Sequence, residues 1–193
     1  MLPKILNPDK KLQAYVIGLA IGDGNLSNPN GRAVRLRITC DKKYPTLLKR
    51  TRSSLKKLLP QNKVSVVNRK GCLDVYCYSN HWEKLLGWEA KKGSKINQKI
   101  KVPYWIKENS EFSKRCLRGL FETDGSVYYD RKYLMTNFVT YIPSLANDVM
   151  EMINKMGFNP HLYKIKENTG IKYTVRISKN TAKFIKMIEL SKK

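Results

Sequence analysis

Hydrophobic and polar residues follow two different periodicities along the chain. In residues 33–40, AVRLRITC, apolar side chains occupy every second position and arginines occupy positions between them. This period of two predicts a half-buried strand with one apolar and one cationic face. Residues 44–59 instead carry leucines at helical spacing among basic residues, which predicts an amphipathic helix. The leucines on its apolar face are Leu47, Leu48, Leu55, Leu58 and Leu59.

The rest of the first half extends this series. A turn at 25–32 precedes the first clear strand, and a hairpin at 63–80 turns around residues 69–71. A short helix at 81–88 follows. We expect the sheet to be covered by helices on one side and open on the other.

The second half repeats the order. Residues 126–141 are strand-like, residues 143–157 form an amphipathic helix that stops at Gly157, residues 161–180 form a hairpin, and 181–190 a last helix. The sequence therefore predicts an α+β fold of two pseudo-symmetric αββαββα lobes. Each lobe is expected to be an antiparallel sheet covered by helices on one face, with a two-helix interface between the lobes.

A basic stretch joins the two halves. It predicts an N-terminal lobe at 1–101, including a linker at 91–101, and a C-terminal lobe at 102–193. Its lysines are Lys91, Lys92, Lys95, Lys99 and Lys101.

A short motif opens both halves. GLAIGDG at 18–24 aligns with GLFETDG at 119–125, so that Asp23 and Asp124 occupy matched positions at the ends of apolar helices. An aspartate at a helix C-terminus is unfavourable by about 0.3–1 kcal/mol, because the helix dipole is negative there. Its repetition at matched positions indicates a use.

Small residues in the motif suggest how the two acids meet. Gly18 and Gly22 share one helical face, as do Gly119 and Thr123, and small residues let two helix backbones approach closely. Side by side, the helices would bring together the two aspartates and the carbonyls of Gly22 and Thr123. Carboxylate and carbonyl oxygens are the ligands that Mg²⁺ and Ca²⁺ prefer.

Charge points to the partner. The 193 residues contain 38 Lys and Arg against 15 Asp and Glu, a net charge of +23. Such an excess attracts anions over the whole surface, and nucleic acid is the expected partner. The basic residues are not gathered on one amphipathic helix and the apolar runs are short, so we expect no membrane partner.

Other features of the sequence bear on the cellular compartment and on zinc binding. The N-terminus lacks the apolar core of a signal peptide, so we expect an intracellular protein, in a prokaryotic cytoplasm or an organelle. Four cysteines without a C-x-x-C pair argue against a zinc site and favour buried, reduced thiols.

The duplicated motif resembles that of the LAGLIDADG homing endonucleases, in the type that carries two motifs on one chain. Glu122 stands where that family often has another acid. The resemblance covers nearly the whole chain, because the predicted order of helices and strands is also the family's. It implies a monomer whose two curved sheets lie in the major groove of a long double-stranded DNA site.

The resemblance also implies chemistry. Asp23 and Asp124 would bind Mg²⁺ beside the scissile phosphates, and Ca²⁺ or Mn²⁺ could replace it in binding. Such an enzyme hydrolyses one phosphodiester in each DNA strand, and two-metal chemistry activates water and stabilises the leaving oxygen.

The family further places a basic residue near each acid. Lys92 and Lys95 fit this catalytic position in the first lobe, and the choice between them stays open. In the second lobe the role could fall only to Lys192 or Lys193, or be missing.

Side chains on the open strand faces are the candidates for DNA contact, by base edges or by phosphates. In the first lobe they are Arg35, Arg37, Asn68, Arg69, Lys70, Asp74, Tyr76 and Tyr78. In the second lobe they are Tyr128, Tyr129, Arg131, Lys132, Tyr133, Asn137, Lys164, Lys166, Lys172 and Arg176.

Two other functions fit the same fold. The first is an intron RNA maturase, which would use basic residues of the helix at 44–59 to bind RNA. The second is a non-catalytic DNA-binding regulator, against which the presence of both motif acids argues. LAGLIDADG domains also occur within inteins, but the start at Met1 and the lack of a splicing signature favour a freestanding protein.

Overall fold

The computed structural model describes residues 9–168 and 170–191 and arranges them as two four-stranded lobes. The first lobe contains α1 (Lys10–Asp23), β1 (Gly24–Ser27), β2 (Arg35–Asp41), α2 (Pro45–Leu58), β3 (Val64–Asn68), β4 (Cys72–Tyr78) and α3 (Trp82–Leu86). The second contains α4 (Tyr104–Lys107), α5 (Ser110–Asp124), β5 (Gly125–Asp130), β6 (Tyr133–Thr140), α6 (Pro143–Lys155), β7 (His161–Glu167), β8 (Gly170–Ile177) and α7 (Thr181–Met187).

Both sheets are antiparallel and have the same strand order, β1-β2-β4-β3 and β5-β6-β8-β7. The predicted α+β fold of two αββαββα lobes is therefore confirmed. The short helix α4, at the start of the second lobe, adds to the predicted series.

The core lies between each sheet and the helices on one of its faces. As predicted, α2 and α6 are amphipathic and bury one side each. Their fully or nearly fully buried apolar residues are Leu47, Leu55, Leu58, Leu145, Ala146, Val149, Met152 and Ile153. In contrast, α1 is buried continuously over residues 14–21, because it lies between its own sheet and the helix α5 of the other lobe.

The predicted turn at 25–32 is only partly correct, because β1 begins directly at the end of α1. Gly24 is extended (φ −80°, ψ 147°), and its N–H bonds to the carbonyl of Ala20. Asn25 then pairs with Arg37 of β2. The sequence NLS has little strand propensity, and pairing with β2 overrides that preference.

The basic stretch between the lobes is held by hydrogen bonds. The Gln98 side chain donates to the carbonyl of Glu89 at 2.9 Å, and the Ser144 hydroxyl of α6 donates to the carbonyl of Ile100 at 2.8 Å. The predicted boundary at residue 101 thus falls where the linker is already attached to the second lobe.

No helix within the described ranges has the length and hydropathy needed to cross a membrane.

The two lobes meet where α1 and α5 lie side by side with their backbones in contact. A Cβ atom added to Gly119 would lie 2.6 Å from the carbonyl oxygen of Tyr15 and 2.7 Å from the amide nitrogen of Leu19. One added to Gly18 would overlap the carbonyl oxygen of Cys116. The predicted close approach of the motif helices is therefore correct, and no larger residue fits at either glycine.

We expect Gly119→Ala to lower the free energy of unfolding by about 1–3 kcal/mol or more, because its methyl group would force the helices apart. Chemical denaturation of the parent and the variant measures the difference. Ser53→Ala, at an exposed position of α2, is the control and should stay within about 0.5 kcal/mol of the parent. A Gly119→Ala protein as stable as the parent would contradict the close contact.

Candidate nucleic-acid interface and metal site

The C-terminal ends of α1 and α5 carry the two motif acids to one place. A Cβ atom on Gly22 would overlap the Thr123 hydroxyl and lie 3.0 Å from a carboxylate oxygen of Asp124. Asp23, the next residue, is exposed, and Asp124 is half-buried. The structure thus brings the predicted acids to the same end of the seam between the lobes, beside the first strand of each sheet.

Lys95 reaches this seam from the linker. Its ammonium group donates to the carbonyl oxygen of Ile21 at 2.5 Å and to that of Gly22. These carbonyls belong to the last turn of α1, where the helix dipole is negative and a cation is stabilised. Burial lowers the pKa of the Lys95 ammonium, while the charges of Asp124 and Asp23 oppose that shift.

Of the two lysines proposed for the first site, only Lys95 lies at the acids. Lys92 is exposed and forms an ion pair with Glu89, 2.6 Å away within the linker. Lys192 and Lys193, proposed for the second site, lie outside the described residues.

The donor set at the seam fits a hard divalent cation, because it consists of carboxylate and backbone carbonyl oxygens. The Gly22 carbonyl already accepts a hydrogen bond from Lys95, so the carboxylates of Asp23 and Asp124 are the stronger candidate ligands. Over residues 9–168 and 170–191, no group of three His, Cys, Asp or Glu side chains is placed to hold a metal ion. Oxygens of a bound partner would have to complete the coordination.

Glu122, the additional acid of the second motif, does not point to the seam's acidic end. Its side chain is fully buried and accepts hydrogen bonds from the Tyr15 hydroxyl (2.5 Å), from Arg118 (3.0 Å) and from Arg50. Burial and the adjacent Glu122 carboxylate raise the pKa of Tyr15. Because Tyr15 and Arg50 belong to the first lobe, this network joins the lobes.

Strand register decides which candidates share the open face of the first sheet, since paired residues of antiparallel strands point to the same side. Leu36, Ile38, Val75 and Cys77 are buried toward the helices, and the residues between them face outward. The predicted candidates on the open face are Arg35, Arg37, Asp74, Tyr76 and Tyr78. Arg69 and Lys70 lie in the β3–β4 turn beside it.

The same reasoning sorts the second sheet. Phe138, Val175 and Ile177 are buried toward the helices, which fixes the open side. The predicted candidates on that open side are Tyr128, Tyr133, Asn137, Lys172 and Arg176. Arg131 and Lys132 form the β5–β6 turn.

Four candidates fall on the other side of their sheets. Asn68 pairs with Leu73, Tyr129 with Leu134, and Lys164 with Tyr173, all on the side that the helices cover. Lys166 pairs with Ile171 on that side. These side chains were expected on the DNA face because they are polar and lie in strands. Successive strand residues point to opposite faces, so an error of one position in the assignment places a side chain on the wrong face of the sheet.

Sequence reasoning also missed residues of the open faces. Asn25 and Ser27 lie there because β1 pairs with β2, whereas residues 25–32 were predicted to form a turn. Thr39, Ser65 and Val67 share the same face through their pairing with β4. The alternation of the neighbouring arginines was the signal that could have identified Thr39.

Two family models match different parts of the chain. A family model described as a LAGLIDADG-like domain matches residues 111–189, and one described as a WhiA LAGLIDADG-like domain matches residues 12–80. Each match covers one lobe and includes one of the motif acids.

Similar proteins are of several kinds. The structure of the homing endonuclease I-DmoI with DNA and manganese has a TM-score of 0.69 at 19% identity, covering 94% of this chain and 98% of that one. The N-terminal LAGLIDADG domain of DUF199/WhiA has a TM-score of 0.64 at 14% identity, covering 94% and 84%. These similarities show the shared fold.

One curated relative is much longer than this chain, which matches only part of it. The tRNA-splicing ligase RtcB of Methanopyrus kandleri is 27% identical over 194 aligned residues, covering 85% of this chain and 19% of that protein. The present chain therefore spans about a fifth of that relative.

We expect Glu122→Ala to lower the free energy of unfolding by about 3–5 kcal/mol, because it removes the fully buried carboxylate that Tyr15, Arg50 and Arg118 share. Urea denaturation measures this loss. Glu189→Gln is the matched control, since Glu189 pairs with Arg115 (2.7 Å) and Arg118 (2.9 Å) but is half-exposed, and it should cost about 1 kcal/mol or less. Equal losses in both variants would show that the buried network does not hold the lobes.

Proposed function

Because the chain belongs to the LAGLIDADG family, we propose that it is a site-specific endonuclease that hydrolyses both strands of a double-stranded DNA target with a divalent metal ion. One observation carries this proposal. Both motif acids are present, and they meet at the touching ends of α1 and α5, between two sheets with basic open faces.

DNA binding is supported by charge and shape. The two open faces present Arg35 and Arg37 in one lobe and Lys172 and Arg176 in the other, on a chain with a net charge of +23. A strand pair fits the major groove, and two such faces in line would cover a long site. The two faces differ in their residues, so we expect a target without exact two-fold symmetry.

The chain's own groups have distinct tasks in this proposal. Asp23 and Asp124 would hold Mg²⁺, with Mn²⁺ or Ca²⁺ able to take its place in binding, and the metal would activate water and stabilise the leaving oxygen. In this proposal each lobe contributes one acid, and each acid would act on one DNA strand. Lys95 places a positive charge beside both acids, where it would offset the charge of a phosphate.

A second candidate function is DNA binding without cleavage. The match of residues 12–80 to the WhiA LAGLIDADG-like domain supports it, because WhiA shares this fold and is a DNA-binding regulator. An RNA maturase remains a weaker proposal. In α2, Lys49, Arg52, Lys56 and Lys57 are exposed, but Arg50 is directed to Glu122 and not to solvent.

We expect Asp23→Asn and Asp124→Asn each to abolish double-strand cleavage of a selected target while leaving DNA binding within a fewfold of the parent, because each change removes a metal-binding charge at one strand. Targets come from a randomised duplex library cut in Mg²⁺, and gel assays separate nicked, linear and bound DNA. Glu108→Gln is the charge-matched control and should cut normally, since this exposed acid precedes α5 and lies at the opposite end of that helix from Asp124.

The outcomes separate the candidate functions. If both aspartate variants cut like the parent, the assignment of the acids is wrong. If the parent selects a DNA site but never cuts it in Mg²⁺ or Mn²⁺, the non-catalytic alternative holds.

We also expect binding to weaken steeply with salt, by about 10³–10⁵ between 50 and 200 mM if six to ten phosphates are contacted. Lys172→Gln should reduce the slope of log affinity against log salt by about one, since Lys172 lies on the open side. Lys164→Gln, on the covered side of the same hairpin, should leave the slope unchanged. A flat salt dependence would argue against the proposed interface.

A further inference from the structure

A carboxylate lies in the middle of the basic open face of the first lobe. Asp74 points outward from β4, the strand between β2 and β3, yet it is only 3% exposed. Its neighbours cover it, so it has little surface for the direct DNA contact expected from the sequence. An acid at this place would repel DNA phosphates, and its presence needs a compensating use.

Three side chains surround this carboxylate. One oxygen accepts a hydrogen bond from the Thr39 hydroxyl at 2.8 Å. The other accepts from the Nε of Arg69 at 2.5 Å and lies 3.9 Å from the guanidinium of Arg37. Burial alone would favour the neutral acid, but the hydrogen bonds from Thr39 and Arg69 and the charges of both arginines keep the pKa of Asp74 below its usual value.

The arginines remain accessible on their outer side. The side chain of Arg37 is 33% exposed and that of Arg69 is 56% exposed, against 4% for Asp74. Asp74 thus accepts a hydrogen bond from Arg69 in the β3–β4 turn and forms a longer ion pair with Arg37 in β2, while both arginine side chains stay partly exposed.

We propose that Asp74 is a positioning residue that holds Arg37 and Arg69 in place to read guanines in the part of the target bound by the first lobe. The inference rests on the proposed DNA binding by the open faces. Arginine reads guanine through a bidentate contact to O6 and N7, which demands a fixed guanidinium orientation. A guanidinium that is ordered before binding loses less conformational entropy on contact.

The second lobe is built differently at the same positions. Thr39 and Asp74 are paired where Val139 and Thr174 are paired in the other sheet. There, the Nε of Arg176 donates to the Asn137 amide oxygen at 3.3 Å.

The other contact of Arg176 is also uncharged. Its guanidinium lies 4.9 Å from the centre of the Tyr163 ring. Neutral groups hold Arg176. Among the described residues of the two open faces, a pair of arginines held by one carboxylate occurs only in the first lobe. The guanine preference that depends on Asp74 should therefore be confined to the half of the target bound by the first lobe.

The test compares selections from a randomised duplex library by the parent, by Asp74→Asn and by Glu108→Gln, which changes the net charge equally. We expect Asp74→Asn to lose guanine preference at a few positions in one half of the site and to keep the rest. Its affinity for the selected duplex should fall by about tenfold or more, on the scale of one lost bidentate base contact. Its affinity for random duplex should stay equal or rise, because the variant is more positive.

A second variant keeps the test valid if Asp74→Asn fails to fold. Arg69→Ala changes an exposed side chain and should lose preference at a subset of the same positions. The inference is overturned if Asp74→Asn keeps the parent's base preferences, or if it weakens specific and random binding equally. If the parent binds no duplex DNA, the proposed function fails and this inference fails with it, whereas a selective parent with an equally selective variant overturns the inference alone.

Discussion

The contact between the backbones of α1 and α5 is the constraint on which the rest of the molecule depends. Without side chains at Gly18 and Gly119, the two helices touch, and their ends bring Asp23 beside Asp124. The same contact sets the separation of the two sheets, because each helix runs directly into the first strand of its own lobe. Placement of the acids and spacing of the two basic faces thus follow from one steric fact.

The seam between α1 and α5 has polar groups in two places, the buried network of Glu122 and the acids at the helix ends, and the two have different roles. Glu122 is buried with Tyr15 and Arg50 and ties the lobes together where solvent is excluded. Two residues further along α5, Asp124 lies at the helix end, as Asp23 does in α1, and both acids lie near Lys95. A buried charge that is fully paired is costly to disturb, whereas acids at an accessible helix end can be reached by a ligand. Two acids close in sequence are therefore separated in function by burial.

The open faces show how local charge can be organised within a strongly basic protein. In the first sheet a single carboxylate, Asp74, gathers Arg37 and Arg69 around it. In the second, Arg176 is held by an amide and an aromatic ring. Similar backbones thus present different chemistry, which is what two lobes on one chain permit and two identical subunits do not.

The sequence by itself determined the fold class, the duplication, the buried helix faces and the pair of motif acids, because these depend on periodicity and repetition along the chain. Tertiary structure decided which lysine reaches the acids. Lys92 and Lys95 lie three residues apart in the same basic stretch, and only the folded path of the linker turns Lys95 toward the end of α1. It also decided which strand residues face outward, because pairing of β1 with β2 and register in β7 are not encoded in local propensity. The position of Glu122 was likewise invisible, as its partners Tyr15 and Arg50 are distant in sequence and meet it only once the lobes pack.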